Sequence, residues 1–146
     1  MYKIIAIALF IFSSMTQAND EIYTSFFSNK ALDGYDAVSY FNADKPQLGN
    51  KKYKTVYKDT EWYFISKANL ELFKTAPENY EPQYGGHCAW AVAEKSDKAP
   101  GDPTVWTIVN NKLYLNYNRD IQKKWEQSIP IFIASADKIW PTIVSK

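Results

Sequence analysis

The only histidine and the only cysteine of the chain stand side by side, as His87 and Cys88, directly after Gly85 and Gly86. An imidazole beside a thiol is a combination used by metal sites and by nucleophilic enzymes. Adjacent side chains on an extended strand point to opposite faces, so these two would converge only if the backbone turned at the glycines. The pair raises three interpretations: a metal site, a reactive thiol and a buried turn.

A metal site built on His87 and Cys88 is short of ligands. A structural zinc ion takes four, and copper(I) favours additional thiolate or thioether groups. Both methionines, Met1 and Met15, lie in the amino-terminal leader described below, so the processed chain keeps one thiol and no thioether. A transition metal such as copper agrees with the ligand types but is not supported by the ligand count, and the cofactor stays unknown.

Thiol chemistry is the second interpretation. A nucleophilic cysteine needs a base, a cation or a helix N-terminus to lower its pKa. The run "AWAVA" at 89–93 follows Cys88 and is typical of a buried strand, not of a helix start. We therefore favour the third interpretation, in which Gly85 and Gly86 form a tight turn, Cys88 and Trp90 point inward, and His87 lies near the surface. A thiol-dependent enzyme or redox sensor centred on Cys88 is the alternative.

Aspartates and aromatic residues suggest a pocket elsewhere. Asp33 and Asp36 flank Gly34 and Tyr35, where aspartate is also favoured simply because it supports turns. The aromatic content is high, and an apolar pocket and an ordinary core are both compatible with it. The candidate pocket residues are Tyr35, Asp36, Tyr40, Tyr84 and Trp90.

The first 20 residues read as an export signal. Lys3 precedes an apolar run at 4–12, and small or polar residues follow, with Thr16 and Ala18 suitably placed for signal-peptidase cleavage. The apolar run is about half the length of a membrane span. We therefore predict a signal peptide at 1–18, cleavage near Ala18-Asn19, and a periplasmic or secreted protein at 19–146.

The remainder of the chain suits one small domain without an obvious charged partner. Cleavage removes one lysine from a chain of 17 basic and 16 acidic residues, which leaves the two charges balanced. Nucleic acid is therefore not expected as a partner. No second apolar run would span a membrane, and the partner is an unknown small ligand or protein. We find no internal repeat in the sequence.

Local patterns predict an α+β domain: an antiparallel sheet built from hairpins, with helices packed on it. A short strand is predicted at 37–41 and a hairpin from 52 to 66. Ser66 should cap a helix that presents Ala68, Leu72, Phe73 and Ala76 to the core and stops at Pro77. The clearest hairpin spans Val105–Tyr117, because Asn110-Asn111 suits a two-residue turn that pairs Ile108 with Leu113 and Trp106 with Leu115.

Two helical stripes follow this hairpin. Ile121, Trp125 and Ile129 form the first, capped by Asn118 and ended by Pro130. The second stripe is closed by Pro141 and consists of Phe132, Ala136, Ile139 and Trp140.

The segment "WYFISKANLELFKTAPENY" at 62–80 resembles the core of the YHS domain, with Phe64, Phe73, Pro77 and Tyr80 at the family's spacing. "GYDAVSYF", "YGGHCAWAV" and "DPTVWTIVNNKLYLNYN" are similar to landmarks of the exported, stand-alone branch of that family. The resemblance implies a YHS-like core at about 52–92 within a single YHS-type domain at 19–146.

This resemblance implies an association with metal handling, because YHS domains accompany heavy-metal pumps and metal-dependent oxygenases. Metal-binding relatives tend to carry Cys-x-x-x-Cys where the strand passes into the helix. This chain has Ile65 and Asn69 there, so the departure falls on the ligands themselves. We expect an exported, non-enzymatic binding or accessory module.

Overall fold

The computed structural model describes residues 21–145. The signal peptide predicted at 1–18 lies outside the described residues. The described part is an α+β fold of five α-helices and two antiparallel hairpins, as the sequence predicts. The hairpins form two separate two-stranded sheets, because no strand of one pairs with a strand of the other.

The first half of the fold consists of α1 (Ser39–Asn42), β1 (Asn50–Tyr57), β2 (Thr60–Phe64) and α2 (Lys67–Thr75). Lys58 and Asp59 both have positive φ and make the hairpin turn. The Ser66 hydroxyl accepts the Asn69 N–H at 3.1 Å, which confirms the predicted cap. The stripe predicted on α2 is only partly right: Phe73 is buried, but Ala68 and Leu72 are exposed, and Asn69 points inward instead.

The second half contains α3 (Ala89–Lys95), β3 (Trp106–Val109), β4 (Lys112–Leu115), α4 (Arg119–Glu126) and α5 (Ile129–Ile143). The β3–β4 register and the positive φ of Asn110 and Asn111 are as predicted. Asn118 Oδ1 accepts the Ile121 N–H at 2.9 Å, which confirms that cap as well.

Two short segments predicted as strands, 37–41 from its alternation and 89–93 from its apolar run, are helical. Residues 37–41 contribute to α1, and "AWAVA" forms α3, because a five-residue apolar run is equally compatible with a buried strand and a buried helical turn. The helix ends predicted at Pro130 and Pro141 are also wrong. Pro130 lies in the first turn of α5, where its missing N–H has no cost, and Pro141 lies inside that helix.

Two hydrophobic clusters form the core, and the β3–β4 hairpin lies between them. Leu113 and Leu115 face the first cluster, which contains Trp62, Phe64 and Phe73. Tyr114 faces the second cluster with Trp125 and α5. Both faces of this hairpin are therefore buried, which holds the two halves together. Within residues 21–145, none of the helices has the length and apolar character needed to cross a bilayer.

Candidate functional site

The turn at Gln83–Gly86 organises the histidine–cysteine region. Tyr84, Gly85 and Gly86 all have positive φ, at 56°, 62° and 84°. A Cβ on Gly85 would lie 1.6 Å from the carbonyl oxygen of Glu21, so glycine is required for the amino-terminal segment to pack here. The carbonyl of Gly85 in turn accepts the N–H of Tyr23 at 2.9 Å. The predicted tight turn is confirmed.

The His87 ring is buried, not near the surface as the sequence suggested. Its Nδ1 lies 2.8 Å from the carbonyl oxygen of Tyr84, and because a carbonyl can only accept, Nδ1 carries the proton. The ring packs between Tyr23 and Trp140, with centroid separations of 5.7 and 5.4 Å. The strained turn places the ring under the end of α5, which was not visible from local sequence.

Cys88 is buried, with 1% of its surface exposed, as the core interpretation predicts. It immediately precedes α3, so the helix start that the sequence analysis rejected is present. Burial raises the pKa of the thiol above its ordinary value, and the backbone N–H groups of Ala91, Tyr117 and Trp90 offset this only in part. The sulfur therefore stays protonated at neutral pH.

The two side chains contact different neighbours. The His87 ring packs at a tilt against Trp140, whereas the Cys88 sulfur lies 3.5 Å from Oδ1 of Asn116. In the part of the chain from 21 to 145, no three His, Cys, Asp or Glu side chains converge well enough to hold a metal ion. The predicted pair of metal ligands thus faces two separate environments.

Asp36 is fully buried, and its carboxylate accepts four hydrogen bonds. Its Oδ1 accepts the N–H groups of Val38 at 2.8 Å and Ser39 at 3.3 Å. Its Oδ2 accepts the Ile65 N–H at 2.9 Å and the Asn69 side-chain N–H at 2.7 Å. Ile65 and Asn69 are the positions where the resemblance places metal-binding cysteines. In this chain hydrogen bonds to one carboxylate tie that strand–helix junction to the rest of the fold.

The other candidate pocket residues lie apart from one another. Tyr40 is fully buried in the first cluster, where its hydroxyl donates to the Pro103 carbonyl at 2.6 Å. Tyr35 packs at the edge of the same cluster. Trp90 packs on the second cluster, with the ammonium groups of Lys95 and Lys124 near its ring. Of the five residues, Tyr84 lines a cleft that also contains residues from distant parts of the chain.

That cleft, of about 280 Å³, lies between the Gln83–Gly86 turn, the amino-terminal segment and the end of α5. Tyr84 donates its hydroxyl to Oδ1 of Asp137 at 2.9 Å. Trp140 and Pro141 form its apolar wall. Its charged lining was not predicted, because Asp137 lies far from the turn in sequence; the charged residues are Glu21, Lys58, Glu81, Lys112 and Asp137.

Lys58 links two of the acidic residues in the cleft. Its ammonium lies 2.6 Å from Glu21 Oε1 and 3.3 Å from Glu81 Oε2. Burial raises the pKa of the Glu81 carboxyl, and Lys58 counteracts this incompletely. Burial lowers the pKa of Lys58, but the hydrogen bond that its ammonium donates to Glu21 and the charges of Glu81 and Glu21 outweigh this effect and raise the pKa to about 12. The cleft thus holds charged groups in fixed positions before any ligand binds.

Comparison with known families supports the resemblance seen in the sequence. The family model of the YHS domain matches residues 42–84. This segment of the chain is a YHS domain. It includes the β1–β2 hairpin, α2 and the start of the Gln83–Gly86 turn. None of the curated proteins and none of the solved structures compared with the chain matches it.

The cleft lies at the carboxyl end of the matched YHS segment. Lys58, Glu81 and Tyr84 belong to that segment, whereas Glu21 and Asp137 come from outside it. Asp36, which ties Ile65 and Asn69 in place, also lies outside the matched residues. Flanking parts of the chain therefore complete both the cleft and the strand–helix junction of the YHS domain.

Proposed function

We propose that this protein is an exported, non-enzymatic YHS-type binding module and that its ligand occupies the cleft beside the Gln83–Gly86 turn. The observation that carries the proposal is the preorganised lining of this cleft. Lys58 is held between Glu21 and Glu81, and Asp137 is held by the Tyr84 hydroxyl. Fixed polar groups against an apolar wall are what small-molecule sites generally provide.

The charge of the cleft favours a small polar molecule with a cationic group, such as an amine. Three carboxylates and two ammonium groups line it, and Lys58 is already shared by two of those carboxylates. Burial disfavours the charged form of the Glu81 carboxyl, and a ligand cation nearby would stabilise that charged form. Trp140 offers an aromatic face for the remainder of such a ligand.

The alternative of a thiol-dependent enzyme or redox sensor centred on Cys88 finds less support. A catalytic thiol is typically accessible and has a lowered pKa, whereas this one is 1% exposed and burial raises its pKa. Export to the periplasm or medium forms part of our proposal and is supported by the leader predicted from the sequence at 1–18. Purification from that compartment provides the material for the test.

Native mass spectrometry of the exported protein tests the proposal, with elemental analysis of the same sample to detect metals. We expect a small organic molecule bound one per chain in the wild-type protein. Glu81→Gln and Asp137→Asn should lose at least 90% of it, since a charged hydrogen bond contributes about 1.5–3 kcal/mol. Glu61→Gln is the matched control, because Glu61 also pairs with a lysine, Lys54, but lies outside this cleft.

Two results would contradict the proposed site. The first is wild-type protein from its own compartment that carries no small molecule. The second is equal retention of the molecule by Glu81→Gln and Glu61→Gln, which would place the ligand elsewhere.

A further inference from the structure

The backbone of residues 29–76 is repeated in residues 81–128 at a constant separation of 52 positions. Every described residue with positive φ has its counterpart at this separation, and the φ values of paired residues differ by at most 13°. The six pairs are Leu32 and Tyr84, Asp33 and Gly85, Gly34 and Gly86, Asp44 and Ser96, Lys58 and Asn110, and Asp59 and Asn111.

The hydrogen bonds repeat with the same separation. Asp36 N donates to Gln47 O at 2.8 Å, and Cys88 N donates to Ala99 O at 2.9 Å. Bridges pair Tyr35 with Leu48 in one half and His87 with Pro100 in the other. The helix caps Ser66 and Asn118 also correspond.

The packing follows the repeat as well. Phe73 on α2 and Trp125 on α4 occupy equivalent positions; each is the buried aromatic residue of its helix, Phe73 in the first cluster and Trp125 in the second. Only four of the paired residues are identical, which hid the repeat from sequence analysis: Gly34 and Gly86, Ala37 and Ala89, Gly49 and Gly101, Thr55 and Thr107.

We infer that the chain is an internal duplication of one structural unit, and that Cys88 occupies the position of a buried carboxylate whose other copy is Asp36. The partners of the two side chains support this equivalence. Asp36 accepts the N–H groups of Val38, Ser39 and Ile65. Their counterparts, the N–H groups of Trp90, Ala91 and Tyr117, are the ones that interact with the Cys88 sulfur.

Asn116 provides an independent sign that the Cys88 site accommodates an acceptor. The residue is fully buried, and its Nδ2 has no hydrogen-bond partner among residues 21–145. Its Oδ1 accepts the Trp90 N–H at 3.1 Å and lies 3.5 Å from the Cys88 sulfur. A carboxylate at position 88 would let this amide rotate, so that Nδ2 donates to one oxygen and Trp90 N–H to the other. Asn69 Nδ2 donates to Asp36 in the first copy.

Urea unfolding of Cys88→Asp and Cys88→Asn tests this inference. The two side chains are nearly isosteric, but only the carboxylate can accept from every surrounding N–H group. We expect C88D to unfold at a higher urea concentration than C88N at pH 7. Because hydrogen bonds to the charged form lower the pKa of a carboxyl group, this advantage should disappear as the pH falls to about 3.

Asp36→Asn, measured alongside at pH 7, should unfold at a lower urea concentration than the wild type, because its amide cannot accept from all four N–H donors that surround the carboxylate. The inference is overturned if C88D unfolds at the same urea concentration as C88N or earlier. It is also overturned if C88D does not fold, whether or not C88N does. These outcomes are independent of ligand binding in the cleft, so the proposed function could survive them.

Discussion

Replacing Asp36 by asparagine is expected to lower the free energy of unfolding by roughly 2–4 kcal/mol, because hydrogen bonds to a buried charged group contribute about 1.5–3 kcal/mol each. Each of the two oxygens of the Asp36 carboxylate accepts two hydrogen bonds. Whichever way an asparagine amide is oriented, its NH2 group must face two N–H donors. Chemical denaturation at pH 7, followed by tryptophan fluorescence, measures the loss.

Asp33→Asn is the control for this prediction. Asp33 belongs to the same turn but is exposed, and asparagine tolerates its φ of 49°. It should change the free energy of unfolding by less than about 0.5 kcal/mol, as is usual for surface substitutions. Equal losses in D36N and D33N would show that the carboxylate of Asp36 does not hold the strand–helix junction.

Replacing Trp125 by alanine should have a still larger effect, a loss of roughly 3–5 kcal/mol, since deleting a buried aromatic ring leaves a cavity. Trp125 is fully buried in the second cluster and packs on Tyr114 at a centroid separation of 5.4 Å. Tyr114 in turn packs on Tyr84, a wall of the cleft. The variant should therefore also weaken ligand retention, which native mass spectrometry would detect.

Trp90→Ala removes the same side chain from a half-buried position and serves as the matched control. Because its ring is partly exposed beside Lys95 and Lys124, we expect no more than about half of the Trp125→Ala loss. A denaturation midpoint for W125A as high as that for W90A would contradict the packing described for the second cluster.

The sequence predicted elements whose determinants are local. The β3–β4 hairpin follows from Asn110-Asn111 and alternating apolar residues, and the caps at Ser66 and Asn118 follow from residue type. Both runs wrongly predicted as strands, at 37–41 and 89–93, occupy equivalent positions in the repeat. Each is a short apolar segment after a left-handed turn, and five residues do not distinguish period two from period 3.6.

Contacts between distant residues explain what the sequence could not show. The cleft brings Glu21, Lys58 and Asp137 together from three parts of the chain, so no local spacing signals it. The burial of His87 depends on Trp140, which is contributed by α5. By its local sequence Asp36 is an ordinary turn aspartate, and its role depends on donors distant in sequence, the Ile65 N–H and the Asn69 side chain.

We propose that this protein is a binding module that carries out no chemistry at Cys88. Titration of the native protein with a bulky thiol reagent at neutral pH tests this claim most directly, with the unfolded protein as the reference. We predict that Cys88 reacts only as fast as the protein unfolds, because its sulfur is covered and burial raises its pKa. Rapid, stoichiometric reaction of the folded protein would contradict the account.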